Sequence, residues 1–150
     1  MERRLIASCA VALMGAGIVG CSSMGSVGTA SAFKQLGGMQ NISSLANGFV
    51  GSALKDPRLA GLSAGKSVDA AATSGKVSNQ LCAMLGGGCK APLSEQQVAA
   101  AASKVSPEQS NAISEHFNSS LSSIESNSKV RDIVMASVGD KLPGVLAGVL

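Results

Sequence analysis

The chain has 150 residues, 45% of them apolar and 14% charged, with a net charge of +3, three Phe and neither Trp nor Tyr. That length fits one domain. The thin, dispersed positive charge excludes a basic nucleic-acid-binding face, and the scarcity of aromatic rings excludes base-stacking platforms. The apolar content is too high for a disordered chain, although much of it is Ala, which buries little area per residue.

Residues 1–20 open with Met1-Glu2-Arg3-Arg4 and continue as an apolar run from Leu5 to Val19 that contains Ser8 and Cys9. Helix over such a run spans roughly 22 Å, short of the ~30 Å hydrocarbon layer, so it predicts a signal-peptide core and not a transmembrane helix. Its exit, Ile18-Val19-Gly20-Cys21-Ser22-Ser23, resembles a bacterial lipobox. The resemblance implies that cleavage follows Gly20 and that Cys21 receives a diacylglycerol thioether and becomes the acylated N-terminus. Ser and not Asp after the Cys implies, for lipoproteins of this kind, sorting to the outer membrane. Several acyl chains at about 0.8 kcal/mol per buried CH₂ give a stable anchor, so membrane lipid is an expected partner and the cell envelope, facing the periplasm, the expected location. Residues 21–32, rich in Ser and Gly, read as a flexible tether to a domain over 33–150.

On this reading Cys9 leaves with the signal peptide and lipid consumes Cys21. Cys82 and Cys89 remain as an even pair in an oxidising compartment, either bridged across Gly86-Gly87-Gly88 or buried as two free thiols. Two Cys and one distant His do not make a four-ligand zinc site, so no metal is expected.

From residue 33 onward the apolar residues recur at helical spacing behind capping chemistry. Ile42, Leu45, Ala46, Phe49 and Ala53 share one face of a segment beginning near Asn41. Asp56-Pro57 starts a short turn through Leu62. Ser67 can cap a longer helix carrying Val68, Ala71, Val77, Leu81 and Met84, stopped by the three glycines 86–88. Ser94 to Gln97 has capping-box spacing ahead of the Ala-rich stretch Val98–Ala102, and Ser106-Pro107-Glu108-Gln109 combines cap, N1 proline and Gln at N3. Ile113, Phe117, Leu121 and Ile124 follow; a last segment from about Ser128 carries Val130, Ile133, Val134 and Val138, with Pro143 breaking or restarting it. No period-two strand stands out. The fold class is all-α, with a core made marginal by its few aromatics.

The order of these pieces resembles the truncated haemoglobins, the short two-over-two α-helical globins, and within them the first group, over about residues 33–146. Phe33-Lys34-Gln35-Leu36-Gly37-Gly38 resembles the family's opening aromatic-x-x-Leu-Gly-Gly. Asp56-Pro57-Arg58 matches its Asp-Pro-Arg after the second helix, and Cys82 to Cys89 a Cys-x-x-x-Gly-Gly-x-Cys stretch of some members. Ser106 to Phe117 looks like the start of its penultimate helix. The resemblance implies a haem site, and there the chain departs from the family. Ala100 stands at the axial-histidine position, Val50 at that of the distal tyrosine, and Leu62 near that of the porphyrin-packing Phe. Iron without a nitrogen or sulfur ligand has no covalent hold, and no Cys-x-x-Cys-His offers covalent attachment. His116, the sole imidazole, reads as a helix-flank residue sooner than a displaced ligand; Met84 and Met135 read as core fillers.

Other motifs carry less. Residues 60–67 satisfy a loose phosphate-loop pattern but follow turn chemistry and not a strand. One His and no Gly-x-Ser-x-Gly elbow argue against a catalytic triad, and Glu108 and Glu115 read as solvated charges on one helix face. No catalytic residue and no cofactor is expected. The sequence points to a lipid-anchored, haem-free, globin-like binding or structural module, with any pocket lined by Val50, Leu62, Val77, Leu81, Val98, Val105 and Phe117 and open to a small apolar ligand or an envelope protein. The alternative is a haem protein of atypical ligation that binds or senses a diatomic gas (oxygen or nitric oxide) or peroxide.

Overall fold

The computed structural model describes residues 32–150, and within them every regular element is helical. Seven α-helices follow in chain order: α1 (Ala32–Gln35), α2 (Met39–Ala53), α3 (Ala70–Met84), α4 (Glu95–Ala102), α5 (Pro107–Ile124), α6 (Ser128–Val138) and α7 (Leu142–Val149). A 3-10 helix, Pro57–Leu62, links α2 to α3, and a second, Gly139–Lys141, joins α6 to α7. No described helix is long and apolar enough to cross a membrane.

Capping decides most of the helix starts. Ser94 and Ser106 each accept the backbone N–H three residues on, while Gln97 and Gln109 reach back to the cap N–H, giving two full capping boxes. Asn127 caps α6 through the Lys129 N–H. The start of α3 departs from the sequence reading: Asp69 and not Ser67 is the cap, its carboxylate accepting the N–H groups of both Ala71 and Ala72. A carboxylate beside the positive helix end outcompetes a hydroxyl two residues earlier. Val68 therefore lies outside the helix, and Ala71, expected on the apolar face, is exposed in its first turn. Gly37 and Gly38, at φ 93° and 77°, turn the chain between α1 and α2, so α2 starts at Met39 and not near Asn41. Ala32, the last residue of the expected tether, is the buried first residue of α1.

The core lies where α2 packs against α3 and α5 and where α7 packs against α4 and α5. Phe49 of α2 and Phe117 of α5 meet edge to face at its centre, ring centroids 5.4 Å apart. Leu45, Val77, Leu81, Ile113 and Leu146 surround them without exposure. Gly48 lets α2 approach α5 closely, since a Cβ there would lie 3.3 Å from Ser120 Oγ. Ile133, expected on the buried face of α6, is 37% exposed: Val130, Val134 and Val138 form that face, and Ile133 is turned about 100° from Val134. Pro143 restarts the chain as α7, at the first turn where its missing N–H has no cost.

Candidate functional site

Two arrangements bring together the polar and small residues that the sequence singles out. The first is an ionic corner between the Pro57–Leu62 3-10 helix and α5. Asp56 Oδ1 accepts the Arg58 N–H at 2.8 Å and so caps the 3-10 helix. Its Oδ2 accepts from Arg58 Nη2 at 2.8 Å and lies 2.8 Å from His116 Nε2. Arg58 Nη2 continues to Glu115 Oε2 at 3.0 Å. Hydrogen bonding from the Arg58 side chain first, then from His116 and from the Arg58 backbone N–H, holds the Asp56 carboxyl well below the usual carboxylate range. Asp56 and Glu115 in turn raise the Arg58 guanidinium still further above neutral pH. A carboxylate locked in its ionised form is a poor proton shuttle. The corner therefore fastens the turn to α5, across about 60 residues of sequence. Glu115 joins this corner through Arg58 while its side chain stays 63% exposed, and Glu108 is exposed. His116 is part-buried with Nε2 engaged, on the flank of α5 beside fully buried Phe117.

The second arrangement is a cleft of about 580 Å³ between the 61–66 turn, α4 and the C-terminal half of α7. Ala100 and Leu62 both line it. The pocket expected from sequence is instead divided. Val50, Val77, Leu81 and Phe117 lie fully buried in the core, and Val105 packs part-buried against it. Val98 lines a different cleft, of about 430 Å³, on the opposite side of α4 with Met84, Glu95, Asp140 and Lys141. The cause is the seating of α4 on α7. At Gly144 a Cβ would overlap the Val98 carbonyl oxygen, so only glycine allows this approach. With Val98 directed at that contact, Ala100, two residues and about 200° further round, is exposed on the cleft rim.

Cys82 and Cys89 form a disulfide with Cα atoms 5.6 Å apart, which resolves the two alternatives left open by the sequence. Cys82 is fully buried, and Gly87 sits so close that a Cβ there would run into Cys82 and the Phe33 ring. Phe33 N–H also donates to the Leu85 carbonyl at 3.2 Å, so the bridged loop holds α1 against the end of α3. Residues 60–67 begin inside the capped 3-10 helix Pro57–Leu62, and no strand precedes them among the described residues. Met84 and Met135 pack part-buried against the core. No described group of three His, Cys, Asp or Glu side chains gathers as a metal site. Cys21, with the signal peptide and residues 21–31 of the tether, lies outside the described residues.

Sequence reasoning missed the Arg58–Glu115 pair, the glycine seam of α7 and the lysines beside Ala100. Gly144 and Gly148, four apart on one face, carried a readable signal for the seam; nothing in the sequence joined Lys66 to Lys104. Comparison with protein-family models, with curated proteins and with solved structures gave no match to this chain.

Proposed function

We propose that this protein is an envelope lipoprotein, anchored through an acylated Cys21, whose helical domain is a truncated-globin-like module that works without haem as a binding or structural element. The observation that carries the reading is Ala100. A methyl group stands where the resemblance requires an axial ligand, and it is exposed on a cleft rim. The residues present do not fit haem: Val50 is buried in the core with no hydroxyl to offer, and the His116 nitrogen already faces Asp56. The packing of α2 on α3 and the Asp56-Pro57-Arg58 cap after α2 support the globin-like part of the reading.

Protein purified from membranes of its host tests both halves. The expected outcome is no Soret band after desalting. A band that survives, with stoichiometric porphyrin, overturns the haem-free reading and returns gas or peroxide chemistry to first place. For the anchor, Cys21→Ser should abolish palmitate labelling. Labelling that persists in that variant overturns the lipid anchor.

A further inference from the structure

The cleft beside Ala100 carries positive charge and, among the described residues, no carboxylate of its own. Lys66, on the turn after the Pro57–Leu62 helix, and Lys104, just past α4, are its charged residues. No described carboxylate forms an ion pair with either lysine. The cleft on the other face of α4 differs: Glu95, Asp140 and Lys141 meet there, with Lys141 Nζ 3.8 Å from Glu95 Oε1. One short helix thus separates a cleft of mixed charge from one whose charged lining, among the described residues, is lysine alone.

The rest of the lining mixes aliphatic and polar groups: Leu62, Leu93, Ala100 and Ala147 present methyl and isobutyl groups, Gln97 adds an amide, and no aromatic ring among the described residues lines the cleft. The space exists because α4 and α7 offer Ala and Gly there, whose side chains leave it unfilled. At about 580 Å³ it falls in the size range of small-molecule sites, which combine an apolar lining with a few polar anchors.

We propose that this cleft binds an aliphatic carboxylate, the alkyl chain lying along the leucine-and-alanine lining and the carboxylate between Lys66 and Lys104. The proposal names a ligand class for the module described above and rests on its being a binding and not a purely structural one; it does not depend on the absence of haem. Lysine suits the role as a mobile point charge that tolerates variation in the anion's position. An uncharged occupant, such as the Ser- and Gly-rich residues 22–31 of this same chain, would leave both ammonium groups unpaired.

The test is calorimetric titration of octanoate into the unacylated Cys21→Ser chain at low ionic strength. Saturable one-to-one binding is expected, with octanol and acetate at least tenfold weaker and with affinity falling as salt is added. Lys66→Gln and Lys104→Gln should each weaken octanoate by up to about fivefold, the upper end of what exposed charge pairs contribute. Ala100→Leu, which narrows the cleft at its rim, should weaken octanoate binding while circular dichroism shows the helices intact. Absence of saturation, equal binding of octanol, or an Ala100→Leu variant that binds normally overturns the proposal. So does lysine-dependent binding to phosphatidylglycerol vesicles without octanoate binding, which would make the cleft a membrane-surface contact. Binding seen only after deletion of residues 22–31 would show that the chain fills its own cleft, and also overturns it. A Soret band in the host-purified protein leaves these outcomes unaffected, so the two readings fail separately.

Discussion

Asp56 shows how one side chain can serve a local and a distant purpose. One carboxylate oxygen caps the 3-10 helix through the Arg58 N–H, and the other faces His116 on α5. Sequence spacing identifies Asp56 as a cap, because Asp-Pro is local chemistry. It does not identify His116 as its partner, because nothing local ties residue 56 to residue 116. Since folding lowers the pKa of Asp56, the stability it contributes is complete above the ordinary carboxylate range. It is lost as pH falls through that range, roughly from pH 5 downward, toward the depressed folded value. Asp56→Asn should therefore melt at a lower temperature at neutral pH and show a shallower loss of stability between about pH 5 and pH 2. Thermal melts of both proteins across that range check it; parallel pH profiles would contradict the assignment.

Helix α4 illustrates the element scale. It has eight residues, a full capping box and one buried side chain, Val98. An isolated helix that short is unstable in water, so its docking on α7 decides whether it forms. That docking depends on Gly144, where an added Cβ meets backbone, and less on Gly148, where it meets the flexible end of Leu93. Gly144→Ala should destabilise by about 1–3 kcal/mol as α4 is pushed away. Gly148→Ala should cost less, because the Leu93 end can move and Ala gains up to ~1 kcal/mol in helix propensity. Denaturant melts of the two variants rank them; a Gly148→Ala variant the less stable of the two would show that the seam is centred elsewhere. The helices themselves were legible in the sequence from caps and 3.6-residue spacing, most clearly at Ser94 and Ser106. Their exposed faces were read less well: Ile133 and Ala71 are apolar at helical spacing yet lie outside, since periodicity reports a face but not whether a neighbour covers it.

At the scale of the whole molecule, stability rests on a core with two fully buried aromatic rings, Phe49 and Phe117, filled out mainly by Val, Leu and Ala. Small domains of this kind have little stability in reserve, so covalent cross-links carry weight. The Cys82–Cys89 bridge closes a loop with a sequence separation of 7 and should contribute roughly 2–3 kcal/mol by loop entropy. It also positions the loop against which α1 rests, through Gly87 and the Leu85 carbonyl. A Cys82→Ala/Cys89→Ala double variant should lose about that much stability, and proteolysis should then begin at the α1 end of the domain. Global unfolding with unchanged midpoint in the double variant would refute the bridge's structural role.

Capping residues and apolar spacing were enough to establish an all-α chain, because each depends on residues within a turn or two of one another. The partner of Asp56, the division of the expected pocket into a buried core and two clefts on either side of α4, and the exposure of Ala100 were decided only by tertiary packing. They follow from how closely α4 can approach α7 at Gly144 and from which helices cover which faces, relations between residues far apart in the chain.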